Sequence, residues 1–344
     1  MPAIFAEPIF LYCGQDPDVA RLTAIQVRLM LPSILFQGLY DLSKRWLACQ
    51  RLSFVPMVCM IVGTVVHIPL CLLFVNGLDM GIEGLPVASG VKDTILLITI
   101  YLYARCSPQI SEVLQPLDRD AFKGWGLYLK VCLPSTAMLC SEWWAFEVLT
   151  LLGGILGVME LASLTICLNL HALLFRIPLG ITEATGALLG NSIGANNVPL
   201  AKRFFALIFK IATFVMCLIS SLVVLGRKQL VNFFTDDEEL GEMTEQVLIV
   251  LGCAFVADGM QGICHGPLRA LSLQTKGSVV ALVCWWLVAL PLGALLAFRY
   301  EMGLVGLMLG FTTASIIQLV AFSIIFLRKN WSEVAKEARE RLEA

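Results

Sequence analysis

Long apolar segments without a charged residue dominate the pattern of this sequence. Three of them are residues 52–78, 277–298 and 302–327. Each exceeds the roughly 20 residues that a helix needs to cross the hydrocarbon core of a bilayer. Membrane-spanning strands would instead alternate apolar and polar residues over about ten positions. The pattern therefore predicts an all-α, polytopic membrane protein and argues against a β-barrel.

Nine full spans are predicted along the chain. They are residues 22–42, 53–76, 84–105, 126–153, 160–190, 200–226, 244–268, 277–298 and 303–327. The apolar segment at residues 3–13 is too short to cross alone. The charged tail, residues 328–344, is either solvated or a short amphipathic surface helix, and we favour the solvated form.

Composition narrows the class of protein further. Hydrophobic residues make up 58% of the chain and charged residues 15%, against about 25% charged residues in soluble domains. This excludes a soluble enzyme, a disulfide-rich secreted module and a disordered chain. A net charge of −2 gives no indication of nucleic-acid binding. There is no Walker loop, metal cluster or activated nucleophile, so we expect no enzyme activity, no cofactor and no metal site.

The positive charges predict the orientation in the membrane. One set of alternate loops, together with the tail, holds fifteen Lys and Arg residues, and the other set holds four. Loops rich in Lys and Arg remain cytoplasmic. The first set and the C-terminus are therefore predicted to be cytoplasmic.

An internal repeat divides the chain. Residues 79–85 (DMGIEGL) match residues 301–307 (EMGLVGL) at an offset of 222, and Pro69 matches Pro291 at the same offset. A second match pairs Gln37 and Gly38 with Gln261 and Gly262 at an offset of 224. Both matches lie at equivalent span ends on one side of the membrane, which is typical of parallel transporter repeats. Because the second copy holds six spans, we expect the first copy to lack about its first three.

Several motifs resemble the multidrug and toxic compound extrusion (MATE) family of antiporters, in its eukaryotic branch. The segment at residues 133–147 (LPSTAMLCSEWWAFE) resembles the start of that family's C-terminal lobe. Residues 190–195 (GNSIGA) are similar to its GNxxGA element. Residues 14–17 and 235–237 resemble its paired turns, and residues 266–270 (GPLRA) its GxLRG element.

This resemblance implies a fold and a mode of action. It implies two six-helix lobes that exchange access by rocking, driven by inward flow of protons or sodium, with protons usual in the eukaryotic branch. The domains would be residues 1–110, the remnant of the N-terminal lobe; 111–125, a cytoplasmic linker; 126–327, the C-terminal lobe; and 328–344, a cytoplasmic tail.

Acidic residues inside the predicted spans are the first candidates for the transport site. A carboxylate at the membrane centre costs about 2.5 kcal/mol or more, so each requires a reason. Glu142 and Glu147 are separated by about 140° around their helix and cannot face the same point. We expect one to line a cavity and the other to hold a neighbouring helix. Asp258 is the third candidate, unless it only pairs with Gln261 or His265.

Polar and aromatic neighbours add further candidates. Asn169 stands where the resemblance leads us to expect Glu, and it cannot titrate. Arg176 is placed to meet Glu147, which either changes substrate choice away from simple cations or only neutralises the charge. Glu183 lies two turns further along the same face. His171 is either a proton relay or a packing residue. Trp143 and Trp144 either hold flat cations through cation–π contacts or pack between helices.

The sequence as a whole predicts a proton-coupled exporter of organic cations, xenobiotics or metabolites. The alternatives are a non-transporting, shortened form of such a transporter and, less favoured, a lipid or oligosaccharide flippase of the same superfamily. Expected partners are the bilayer and the transported small molecule. We expect a monomer in the plasma or vacuolar membrane.

Overall fold

The computed structural model describes residues 6–12, 17–50, 52–111 and 123–343. These ranges contain nine helices long and apolar enough to cross a membrane, from residues 20–49 to residues 303–328. This confirms the predicted all-α membrane fold. The predicted turn at residues 14–16 and most of the predicted linker lie outside the described residues.

The helices follow one another with short connections. They are α1 (Ala6–Tyr12), α2 (Pro17–Cys49), α3 (Phe54–Leu72), α4 (Gly84–Cys106), α5 (Pro108–Ser111), α6 (Trp125–Leu156), α7 (Val158–Leu174), α8 (Arg176–Gly194), α9 (Val198–Leu225), α10 (Arg227–Phe234), α11 (Glu238–Ala270), α12 (Gln274–Leu282), α13 (Leu290–Ala294), α14 (Gly303–Arg328) and α15 (Trp331–Glu343). Three π-helical turns interrupt the spans, at Leu73–Gly77, Val283–Ala289 and Leu295–Arg299, and a 3₁₀ turn covers Gly81–Glu83.

Contacts divide the chain into two compact units, Met1–Ala121 (unit 1) and Phe122–Ala344 (unit 2). In unit 1, α4 packs against α2 and α3. The Tyr40 hydroxyl donates to the Pro56 carbonyl at 3.0 Å, and Ser33 donates to the buried carboxylate of Asp93. Lys92 lies 2.8 Å from Asp93, so these neighbouring charges satisfy each other.

In unit 2, α11 is the central helix and packs against α7, α8, α9 and α14. Its crossing with α8 is close, because a Cβ on Gly266 would overlap the carbonyl oxygen of Thr182 and lie 3.0 Å from the Gly186 nitrogen. The spacing of Gly186, Gly190 and Gly194 predicts close helix contact at all three positions. That prediction holds only for Gly186, since a Cβ on either of the other two would meet nothing within 4 Å.

The internal repeat has the same backbone geometry in both units. The turns at Leu73–Gly77 and Leu295–Arg299 are both π-helical and are related by the offset of 222. Positive φ angles follow in both, 52° at Asp79 and 55° at Glu301. In the first turn of the helix that follows, Gly84 and Gly306 lie so close to the π-helical backbone that no room is left for a Cβ. The sequence match therefore marks a conserved way of leaving one span and entering the next.

Proline explains where two spans are irregular. Pro178 has no N–H to donate to the Leu174 carbonyl, and in a continuous helix its ring would clash with that carbonyl. Helix α7 therefore ends at Leu174, and α8 begins after Phe175. Pro291 follows the π-helical segment Val283–Ala289, where the ordinary hydrogen-bond register is already lost. Pro134, by contrast, lies inside the uninterrupted α6.

The C-terminal tail forms a packed helix, and our preference for a solvated tail is wrong for its first residues. Trp331, Val334 and Ala335 on α15 are buried. The Trp331 indole donates to the Phe326 carbonyl at 3.3 Å. These apolar residues lie on one face of the helix, and burying that face fixes the tail against unit 2.

Candidate functional site

A cavity of about 230 Å³ opens along the α6 span in unit 2. Helices α6 and α7 and the residue after α7 supply its lining, which is Glu142, Trp143, Phe146, Glu147, Thr150, Leu168, Asn169, His171, Ala172 and Phe175. The α6 residues among them occupy a single face about 140° wide. This face combines two acids with aromatic side chains, as a site for an organic cation requires.

Glu142 and Glu147 lie at the two edges of that face. Glu142 is 4% exposed and faces inward, whereas Glu147 is exposed. Both line the cavity. The expectation that only one of them would line a cavity is therefore wrong, because the cavity covers the whole arc that separates them.

Glu142 and Asp258 are connected through one buried amide. Nε2 of Gln261 donates to Glu142 Oε1 at 2.8 Å and lies 3.3 Å from Asp258 Oδ1. The Ser315 hydroxyl also donates to Asp258 Oδ1, at 3.2 Å. Gln318 Nε2 in turn donates to Gln261 Oε1 at 2.8 Å. This network, called the carboxylate network below, joins α6, α11 and α14.

A histidine faces the second oxygen of each carboxylate. His171 Nε2 lies 3.4 Å from Asp258 Oδ2, and His265 Nε2 lies 4.0 Å from Glu142 Oε2. Of the two pairings considered for Asp258, the structure shows the contact with Gln261, while His265 lies beside Glu142. In the network as described, His171 Nδ1, Asp258 Oδ2 and His265 Nε2 have no hydrogen-bond partner. Asp258 therefore keeps one carboxylate oxygen without a hydrogen-bond partner, 3.4 Å from an imidazole nitrogen.

Aromatic rings enclose His171. The rings of Phe146, Phe175, Phe255 and Phe311 lie between 5.3 and 5.8 Å from its centroid. The Phe175 ring is stacked on it, with an interplanar angle of 28°. This packing fixes the imidazole next to Asp258, so the packing role and the relay role of His171 are compatible.

The other predicted residues are only partly brought together. Trp143 and Asn169 line the cavity, whereas Trp144 is exposed and does not. Arg176 opens α8 on an exposed position, and the described residues contain no ion pair between it and Glu147. Its predicted contact with Glu147 is therefore wrong. Glu183 lies apart from the cavity, 3.3 Å from Arg269 on α11.

Ser315 and Gln318 were not predicted. They lie three residues apart on α14 and are fully buried. Positions three apart share a helix face, and two polar residues on one face of a charge-free span were a usable signal. Asp258, Gln261 and His265 follow the same rule on α11, at spacings of three and four.

The carboxylate network has a smaller counterpart in unit 1. Asp93 on α4 is the repeat equivalent of Ser315 on α14, at the offset of 222. In unit 1 the serine lies on α2 and the aspartate on α4, while in unit 2 the aspartate lies on α11 and the serine on α14. Donor and acceptor have exchanged helices. Only in unit 1 does a lysine, Lys92, contact this aspartate among the described residues.

Within the described ranges, no group of three or more His, Cys, Asp or Glu residues is arranged to hold a metal ion. The arrangement offers two buried carboxylates, each beside an imidazole. Glu142 lines the cavity together with the exposed Glu147 and Trp143, and Asp258 lies behind His171, which also lines it.

Comparisons with known proteins agree with the motifs. The family model described as MatE matches residues 2–73 and 134–295. The chain is 31% identical to Protein DETOXIFICATION 17 of Arabidopsis thaliana, over 98% of this chain and 71% of that protein. It is 28% identical to Multidrug and toxin extrusion protein 1 of Danio rerio, over 97% of this chain and 57% of that protein.

A solved structure shares the fold. The crystal structure of the eukaryotic MATE transporter AtDTX14 matches with a TM-score of 0.93 and 26% identity, covering 98% of this chain and 76% of that one. These relatives are transporters, not enzymes. The chain is thus a multi-pass membrane protein that belongs to the MatE family, which confirms the resemblance seen in its motifs.

Proposed function

We propose that this protein is a secondary active transporter that exports organic cations, xenobiotics or cationic metabolites in exchange for protons. The observation that carries this proposal is the carboxylate network. Glu142 and Asp258 are buried next to a cavity that also holds Glu147 and Trp143. The names of the relatives, which refer to multidrug and toxin extrusion, support the same class of substrate.

Competition for the carboxylates provides the coupling. A buried carboxylate is costly unless a proton or a cation neutralises it. A cation in the cavity and a proton on Glu142 or Asp258 meet the same requirement, so the binding of one favours release of the other. An ion gradient is then the energy source, and no cofactor is needed.

His171 provides a path for protons between the cavity and the two acids. His171 lies 3.4 Å from Asp258 and also lines the cavity. A neutral imidazole accepts a proton on one nitrogen and donates from the other. His171 therefore links the cavity to Asp258, and Gln261 keeps Glu142 and Asp258 in one hydrogen-bonded group.

The experiment is a flux assay on the full chain in proteoliposomes. A proton gradient is imposed, and exchange of radiolabelled tetraethylammonium is measured for the unmodified chain, Glu142→Gln and Asp258→Asn. We expect gradient-driven flux that both substitutions abolish. The matched control is Glu242→Gln, which removes an exposed carboxylate from α11 and should leave flux unchanged.

Two results would overturn the proposal. One is binding of cations without any gradient-driven flux, which is the behaviour of a non-transporting form. The other is flux that requires a sodium gradient and is indifferent to protons. Flux in Glu142→Gln and Asp258→Asn equal to that of the unmodified chain would remove these residues from the mechanism.

We place the C-terminus on the cytoplasmic side of the plasma or vacuolar membrane and treat the protein as a monomer. The distribution of Lys and Arg supports this orientation. Modification of a cysteine introduced at Ser332, an exposed position at the start of α15, by an impermeant maleimide in intact and permeabilised cells tests it. Labelling only after permeabilisation is expected.

A further inference from the structure

A second cavity lies in unit 2 where the spans end and the tail begins. It has a volume of about 380 Å³ and is formed by the first turns of α9, the end of α14 and the start of α15. Its lining is Lys202, Phe205, Phe209, Ser323, Phe326, Leu327, Lys329 and Trp331. It shares no residue with the cavity beside Glu142, so the transport site does not account for it.

Closely packed aromatic rings form the floor of this cavity. The Phe205 ring lies 4.4 Å from Phe209, 5.3 Å from Phe326 and 5.4 Å from Trp331. Trp331 is 6% exposed, and its indole N–H donates a hydrogen bond to the Phe326 carbonyl. The tail helix is thus fixed against α9 and α14 by its first residue, and the cavity is a built feature of the fold.

Positive charge borders this apolar floor. Lys202 is exposed and makes no ion pair with any described residue. Lys329 has one acidic neighbour, Glu333, at 3.9 Å, and that carboxylate is largely exposed. Arg203 and Arg328, both exposed, follow and precede the two lysines in sequence. The cavity therefore combines two ammonium groups with an apolar interior.

The position of the cavity indicates which molecule meets this combination. Within unit 2, the chain crosses the membrane four times between the start of α9 and the end of α14. An even number of crossings places these two ends on the same side of the membrane. Leu327, which lines the cavity, is 86% exposed, so apolar surface continues from the cavity toward the acyl chains of the bilayer. Tryptophan and lysine at the end of a span are typical of the headgroup region.

We propose that this cavity binds an anionic phospholipid, with the headgroup phosphate between Lys202 and Lys329 and an acyl chain along Phe205 and Leu327. The phosphate neutralises the positive charge of the two lysines, and the aromatic rings contact the glycerol and the upper part of the acyl chain. Because the walls come from α9, α14 and α15, the lipid would join the tail helix to the spans. The site is an interfacial lipid site, separate from substrate transport.

The test measures lipid retention by the full chain. The protein is reconstituted in nanodiscs of phosphatidylcholine, alone or mixed with phosphatidylglycerol, and retained lipids are counted by native mass spectrometry. We expect retention of phosphatidylglycerol over phosphatidylcholine. Lys202→Gln and Lys329→Gln should each lower the apparent affinity for phosphatidylglycerol about fivefold, the effect of one basic residue near an anionic surface.

Two controls decide the result. Lys276→Gln removes an exposed lysine from the same side of unit 2 but outside the cavity, and it should leave retention unchanged. Equal loss in Lys276→Gln and Lys202→Gln would overturn the proposal, since it would indicate a diffuse charge effect. Inorganic phosphate that displaces the lipid at low concentration would also overturn it, because the acyl chain would then contribute nothing.

Discussion

The side-chain amide of Gln261 donates a hydrogen bond of 2.8 Å to Glu142 and thereby ties α11 to α6 inside the membrane. The same amide nitrogen lies 3.3 Å from Asp258. An amide has only two hydrogens to donate, and Gln261 uses them on the two acids. Protonation of one acid therefore affects the other through the shared donor, in addition to the direct electrostatic interaction between them.

The Glu142–Gln261 hydrogen bond should be measurable by a double-mutant cycle. Gln261→Met leaves buried acceptors unpaired, which costs about 1–3 kcal/mol, so we expect a lower unfolding midpoint in detergent. In a Glu142→Met background the same change should cost less, because one acceptor is already gone. The measurement is thermal unfolding of the four proteins of the cycle.

The corresponding control combines Gln261→Met with Glu242→Met. Glu242 lies on the same helix, but it is exposed and outside the network. These two changes should add to within about 0.5 kcal/mol. Additivity in the first cycle as well would contradict the proposed bridging role of Gln261.

Glu147 and Arg176 should differ in their effect on substrate binding. Glu147 lines the cavity and Arg176 does not. Given the proposed function, Glu147→Gln should raise the KM for tetraethylammonium about tenfold, a loss of about 1.4 kcal/mol. Arg176→Met should leave that KM and the order of preferred substrates unchanged. A changed preference in Arg176→Met alone would reinstate the role predicted for it from sequence.

The sequence was sufficient to predict the membrane spans and the acidic residues within them. Charge-free segments longer than a bilayer crossing have no other stable environment, and an acid within such a segment is conspicuous. The repeat was also visible, because the turns at Asp79 and Glu301 require glycines at fixed positions, and these remain in the sequence. The structure adds that the shared element is a π-helical turn.

What the sequence did not reveal depends on helix rotation and register. Gln318 contacts Gln261 only because α14 and α11 cross at one particular register, and no local pattern defines that register. The position of Arg176 depended on the interruption at Phe175, which opens a new helix. The packing of α15 depended on Trp331 finding an aromatic pocket made by α9, far away in the sequence.

The Lys92–Asp93 pair in unit 1 should behave as a buried ion pair, so that removing one partner destabilises the protein more than removing both. Asp93 is 3% exposed and lies 2.8 Å from Lys92. Removing one partner of such a pair leaves an uncompensated charge and costs about 3 kcal/mol, whereas removing both costs less. We therefore expect Lys92→Met to lower the unfolding midpoint and Lys92→Met with Asp93→Asn to restore part of it. A double variant that is less stable than Lys92→Met would contradict this reading.

The crossing of α8 and α11 offers a matched pair of glycine substitutions. Gly266→Ala should destabilise the protein by about 1–3 kcal/mol, because the added methyl group meets the backbone of Thr182 and Gly186 and neither can move aside without separating the helices. Gly190→Ala, one position of the same small-residue pattern on α8, meets nothing within 4 Å. It should be neutral or stabilise by about 0.5–1 kcal/mol, since alanine loses less entropy than glycine in a helix. Thermal unfolding of the two variants in the same detergent measures the difference. Given the proposed function, Gly266→Ala should also reduce proton-driven flux, because α11 carries Asp258 and Gln261, while Gly190→Ala should preserve it. Equal stability of the two variants would show that the close crossing does not hold α11 in place.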